Sequence, residues 1–205
     1  MFNRLPLSFH TIAIFLACSS ISLAAVVATG DGWSVMDDSF ASDSVSSFTA
    51  TGFNFSELPE SGDWTNTSGF DSDRFNTGAF AEWKFFGLEN GNYQVAVSWS
   101  YSGNRSNIAP YTVQGSDVFT VNQRIAATGG PVLKDDEDTE ISFELLTAEA
   151  IVNDGTLTVR LDDVANTSGL QYVIADAVAI KAVPEPSSLA LLGMGSIALL
   201  NRRKR

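Results

Sequence analysis

One histidine and one cysteine are all that the 205 residues contain, and both stand near the start, at His10 and Cys18. The opening MFNRLPLSFHTIAIFLACSSISLAA sets Arg4 ahead of an apolar run at Thr11–Ala17 and follows it with small residues, the three-part pattern of a secretory signal. Ser22-Leu23-Ala24 fits the small-x-small cleavage rule, so cleavage is expected between Ala24 and Ala25. A lipoprotein signal ending at Cys18 fits less well, because bulky Leu16 sits two residues before the cysteine. Loss of residues 1–24 leaves no disulfide, no thiol nucleophile and no imidazole. Zinc held by Cys or His, haem ligation and Ser-His-Asp catalysis are excluded together. Carboxylate chemistry and calcium stay open.

Positive charge is also scarce. Between Ala25 and Ala182 there are seven basic and 23 acidic residues, a balance of about −16. Such a surface disfavours nucleic acid and anionic lipid and keeps an exported chain soluble. These 158 residues suit one domain with a real core. Without disulfides, that core must supply the stability.

What the body does contain is period-two alternation. Tyr93, Val95, Val97, Trp99 and Tyr101 alternate with Gln94, Ala96, Ser98 and Ser100, and Ala81, Trp83 and Phe85 alternate just upstream. Asn90-Gly91 between them, and Asn153-Asp154-Gly155 before Leu157, Val159 and Leu161, read as hairpin turns. Further strands are expected at Tyr111–Val113, Val118–Gln123, Ser142–Leu146 and Tyr172–Ala182, with Glu144–Val152 ambiguous between helix and strand. Asp37–Asp73, rich in Gly, Ser, Thr and Asp, reads as long loops over the sheet. The pattern predicts an all-β fold, an antiparallel, jelly-roll-like β-sandwich over residues 25–182.

The run WKFFGLENGNYQVAVSWSYSGNRSNIAPYTVQGSDVFTVNQR, Trp83–Arg124, resembles the C-terminal domain of golvesin and the carbohydrate-binding-like module of xanthan lyases. The resemblance continues into YVIADAVAI, Tyr172–Ile180, and upstream Asp37-Asp38 and Gly62-Asp63-Trp64 take the place of the opening strands. It implies a β-sandwich on an exported protein, with glycan or matrix binding, and it brings no known catalytic residues.

Asp176 shares a strand face with Ile174, Val178 and Ile180 and is expected to point into an apolar layer, where a carboxylate needs a partner. Arg105 is the expected partner, in a partly buried ion pair that latches the Asn104–Asn107 loop to the last strand. The alternative assigns Arg105, Asn104, Asn107 and Tyr111 to a glycan site. Pro110 favours an extended Ala109. Asp37 or Asp38 with Asp176 offers oxygen ligands for a structural calcium, and Asp135-Asp136-Glu137-Asp138 reads as a solvated charge run with weak calcium binding as its alternative. Trp83 and Trp99 are expected in the core; Trp33 and Trp64, in polar stretches, are expected nearer solvent, with Trp64 the ligand contact. Two carboxylates alone can hydrolyse a glycosidic bond, but no pair is marked here, and a non-catalytic protein is expected.

The tail VPEPSSLALLGMGSIALLNRRKR holds an uncharged run of 14 residues, Ser187–Leu200. As a helix it would be about 21 Å long, against a hydrocarbon core of about 30 Å. Pro184-Glu185-Pro186, a short apolar helix and the basic Arg202, Arg203, Lys204 and Arg205 together resemble a PEP-CTERM sorting signal. The resemblance implies that residues 183–205 anchor the chain transiently in the inner membrane until an exosortase-type transpeptidase removes them, releasing the protein to the cell surface or matrix. A purely structural surface protein is the alternative to an exopolysaccharide binder.

Overall fold

The computed structural model describes residues 26–38, 45–56, 69–72, 78–115, 117–135, 138–163 and 172–184. Ala24, Ala25, Trp64, Glu185, Pro186 and the basic tail Arg202, Arg203, Lys204 and Arg205 lie outside the described residues, as does the uncharged run 187–200 expected to form a helix. In chain order the strands begin with β1 (Val26–Ala28), β2 (Ser34–Met36), β3 (Ser46–Thr51), β4 (Phe53–Ser56) and β5 (Gly69–Ser72). Then come β6 (Phe80–Phe85), β7 (Gly91–Val97), β8 (Ala109–Val113), β9 (Asp117–Val121) and β10 (Val132–Lys134). The series ends with β11 (Glu140–Ser142), β12 (Glu144–Val152), β13 (Leu157–Asp162), β14 (Ile174–Ala175) and β15 (Val178–Ala182).

Two five-stranded antiparallel sheets, β1-β2-β15-β7-β12 and β3-β6-β13-β8-β9, face each other across one core. The first sheet sends in Met36, Tyr93, Val95, Val97 and Ile180; the second sends in Ala81, Trp83, Phe85, Val159 and Leu161. Trp83 is fully buried, tilted against Phe48 at 5.2 Å and stacked with Tyr111 at 6.4 Å. The alternation therefore reports the inward face correctly in β6, β7 and β13. Smaller elements complete the molecule: β14-β5-β4 form a three-stranded sheet, and β10-β11 a hairpin.

That hairpin explains why β7 is buried on both faces. Leu133 and Ile141 lie with Trp33, Val35, Ala96, Ala177 and Ala179 in a second apolar cluster. Alanine at three of these positions lets the hairpin approach closely. Trp33, expected near solvent, is 6% exposed in this layer, and Lys181 Nζ stands 5.8 Å from its ring centre.

Other expectations change for physical reasons. The Asn90-Gly91 and Asp154-Gly155 turns are not hairpins: β6 and β13 belong to one sheet, β7 and β12 to the other. Both turns carry the chain across the sandwich and sit side by side, with Leu88 N–H donating to Gly155 O at 3.0 Å. A hairpin and a crossover both leave alternate residues facing the core, so alternation cannot separate them. The Asp37–Asp73 stretch holds β3, β4 and β5 rather than loops alone, and Glu144–Val152 is a nine-residue strand. Ser142–Leu146 spans the end of β11 and the start of β12. Tyr172–Ala182 is broken: β14 pairs with β5, β15 with β2 and β7, and the chain changes sheets at Asp176-Ala177.

Gly155 has φ +75°, and a Cβ there would meet Leu88 O at 3.4 Å. Gly155→Ala is expected to lower the unfolding free energy by about 1–2 kcal/mol through the left-handed backbone. Urea unfolding measures this, and an unchanged midpoint would remove the crossover from the list of constraints.

Candidate functional site

At one end of the sandwich a polar latch ties the Ser98–Ser106 segment to the last strands. Ser106 N–H donates to Tyr172 O at 2.7 Å, and Tyr172 N–H to Asn104 O at 3.1 Å. Gln123 then clasps the strand that follows. Its Nε2 donates to Ile174 O at 2.7 Å, and its Oε1 accepts from Ile174 N–H at 2.8 Å, so one side-chain amide stands where a neighbouring strand would. Gln123 N–H donates to Ser106 O at 2.8 Å, which joins the loop to the same clasp.

Arg105 is 2% exposed and Asp176 0%. Arg105 Nε donates to Ser100 O at 3.4 Å, its guanidinium stands 5.8 Å from the Tyr172 ring centre, and its carbonyl accepts from Arg124 Nε at 2.9 Å. Asp176 accepts a hydrogen bond from Ser98 Oγ. Tyr111 is buried in the core and does not line the surface where a ligand was expected. Burial first, then the charge of Asp176, pushes its phenol well above the ordinary range, against an opposing hydrogen bond from Gln123. Asn104 and Asn107 are exposed.

The β2–β15 register sets Met36 opposite Val178, and Asp38 and Asp176 each lie two residues beyond that pair, outside the two strands. Asp38 is buried and Asp37 half-buried, with Asp38 N–H donating to Asp37 Oδ1 at 2.8 Å. Among the described residues no three acidic side chains gather into a group able to hold a metal ion. Near the tail, Val183 N–H donates to Asn92 O at 2.8 Å and Pro184 is exposed.

Two cavities lie in a cleft between the edge strands β9 and β12. One cavity of about 190 Å³ is lined by residues including Trp99, Thr120, Asn122, Ile125, Thr128 and Glu144. A second, of about 250 Å³, is lined by residues including Gln114, Phe119, Thr147, Glu149 and Ile151. Trp99 Nε1 donates to Ile125 O at 2.9 Å, which fixes the indole as a wall. Two register irregularities in β12, after Leu145 and after Thr147, break the row of main-chain groups that an edge strand would present. Gln114 closes the second cavity from a left-handed conformation, φ +52°. Its amide donates to Ile151 O and Thr156 O and accepts from Thr158 N–H.

Of the cleft residues the sequence singled out only Trp99, and that for the core, where it is indeed 3% exposed; it marked neither Glu144 and Asn122 as ligand contacts nor Gln123 for its clasp. Gln123 carried a signal: it follows Phe119 and Val121 on the inward parity of its strand, where a polar residue demands partners. Gln114 carried none, since nothing local foretells its positive φ.

Residues 182–205 match the family model of the PEP-CTERM protein-sorting motif. That motif implies export, C-terminal sorting to the cell surface and an exosortase-type processing partner. Comparison with curated proteins gives no match. Among solved structures the chain is similar to a Paenibacillus xanthan lyase, at TM-score 0.46 and 20% identity over 75% of this chain and 13% of that one. It is also similar to the Podospora anserina GH26-CBM35 β-(1,4)-mannanase, at TM-score 0.47 and 11% identity over 77% of this chain and 29% of that one. The chain thus spans less than a third of the length of either protein.

Two outcomes follow from the latch. Gln123→Leu keeps the bulk but leaves the buried Ile174 N–H and C=O without partners, at about 1–3 kcal/mol each. A loss of about 2–5 kcal/mol in urea unfolding is expected, and a loss near zero would show that the clasp holds nothing. Tyr111 binds its proton more tightly folded than unfolded, so its contribution is present below about pH 10, the unfolded value, and fades above it. Tyr111→Phe should therefore flatten the alkaline fall in stability; parallel curves for parent and variant would exclude Tyr111 as its cause.

Proposed function

We propose that this protein is a non-catalytic component of the cell surface or extracellular matrix that binds exopolysaccharide or another surface glycan through its sandwich. The observation that carries the location is the sorting-motif match at residues 182–205. On this reading the signal is cut between Ala24 and Ala25 and the apolar tail holds the chain in the inner membrane. An exosortase recognising Pro184-Glu185-Pro186 then removes that tail. Glycan binding is supported by the β9–β12 cleft, which sets an indole wall beside hydroxyl, amide and carboxylate groups. The Arg105–Asp176 ion pair is proposed as part of the latch, supported by the burial of both groups.

A second reading, a structural matrix protein without a specific ligand, draws on the tryptophans. Trp33, Trp83 and Trp99 are all at most 6% exposed, so none offers a flat open platform for a sugar ring.

Mass spectrometry of the protein from its native cells is expected to show a start at Ala25 and loss of the tail; an intact segment through Arg205 on mature protein would refute processing. A glycan array probed with the full chain is expected to show binding to surface polysaccharides. A blank array at millimolar ligand would favour the structural reading.

A further inference from the structure

We infer that the cavity between Trp99 and Glu144 is a subsite for one neutral hexopyranose unit, an inference that rests on the glycan-binding reading above. Glu144 opens the edge strand β12, opposite Val97. Its Oε2 accepts two main-chain hydrogen bonds, from Thr128 N–H at 3.1 Å and Gly129 N–H at 2.9 Å. Its Oε1 has no hydrogen-bond partner among the described residues. The carboxylate is thus fixed in orientation through one oxygen while the other keeps its lone pairs for a ligand, and charged acceptors bind hydroxyl donors strongly.

Two glycines make this arrangement possible. A Cβ on Gly129 would fall 2.5 Å from Glu144 Oε1, and one on Gly130 would fall 2.7 Å from Phe143 O and 2.8 Å from Leu145 N. The loop lies flat on β12 because both side chains are absent. The consequences of substitution differ. At Gly129 the obstacle is the end of a flexible side chain, which can swing away; at Gly130 it is main chain, which cannot.

Around the carboxylate the lining suits a sugar. Ile125 and Ala126, with the nearly buried Trp99 and Val121, give an apolar wall for ring C–H groups, while Thr120 and Thr128 add hydroxyls. Asn122 Oδ1 accepts from Arg124 N–H at 3.1 Å, which leaves its amide N–H groups to donate. The volume, about 190 Å³, falls below the roughly 300–1,000 Å³ of pockets for drug-sized ligands, so it suits a single ring. Charge selects the kind of ring. Glu144, Glu149 further along β12 and a net charge of −12 oppose uronate or sulfated units.

The test is a titration of tryptophan emission in the full chain with D-glucose, D-mannose and D-galactose, against D-glucuronate, with Trp99→Phe as control. Affinity electrophoresis in neutral polysaccharide is run alongside on parent, Gly129→Ala, Glu144→Gln and Asn122→Ala. A neutral hexose should shift the emission at millimolar concentration and lose that shift in Trp99→Phe, while glucuronate should have no effect. Gly129→Ala and Glu144→Gln should weaken retardation by about tenfold, from loss of one charge-assisted hydrogen bond, and melt like the parent. If either variant fails to fold, the exposed Asn122→Ala takes its place with the same expected loss. Polysaccharide held equally by parent and all folded variants would overturn the subsite and leave the glycan reading standing. Glucuronate bound as tightly as a neutral sugar would overturn the charge assignment. Binding of no sugar and no polysaccharide would overturn both.

Discussion

The fold turns on the amide of Gln123. Sheets are held by repeated main-chain pairs, yet the final strands need their chain to leave one sheet and enter another, and at that break a regular neighbour is missing. The side-chain amide offers one donor and one acceptor at the spacing of a peptide group, and Ile174 takes both. Around that substitution the loop at Asn104–Ser106, the Tyr172 bridge and the buried Asp176 fall into place. A buried donor and acceptor satisfied together contribute modestly; left unmade, they are expensive. The latch therefore acts mainly by excluding other arrangements.

Burial on both sides of β7 shows a second constraint. Val95 and Val97 point to the shared core and Ala96 to the outer cluster, so the strand's central part is dry on both faces. That makes the first sheet the middle of three layers, and it sets a size limit on its outer face. Alanine there is a packing requirement imposed by the β10–β11 hairpin, where larger residues would lift the hairpin from the sheet.

Much of this was legible in the sequence, and the boundary is informative. Trp83 with Phe85, Val95 with Val97, and Leu157 with Val159 announced their inward faces through strict alternation. The sorting tail was legible because a short tripeptide, an apolar run and terminal basic residues stand in fixed order. Which strands pair was not legible, because alternation records the face of a strand and says nothing of its sheet; hence the two crossovers that read as hairpins. Trp33 looked solvent-bound because its neighbours are polar, and only the hairpin from 100 residues downstream covers it. The cleft was invisible for a related reason: Trp99, Asn122, Gly129 and Glu144 come together only when two sheet edges meet.

The bond from Val183 to Asn92 joins the sorting segment to the sandwich with almost no slack. It lies where Ala182 faces Tyr93, whereas Glu144 faces Val97 at the other end of β7. The Trp99–Glu144 cavity therefore lies toward the end of β7 away from that bond, and the second cavity toward the end nearer it. A pull applied at Val183 would run along β15, a strand hydrogen-bonded on both sides, by β2 and by β7. Those bonds lie across the strand direction, so a pull applied along β15 would load them together in shear rather than one after another.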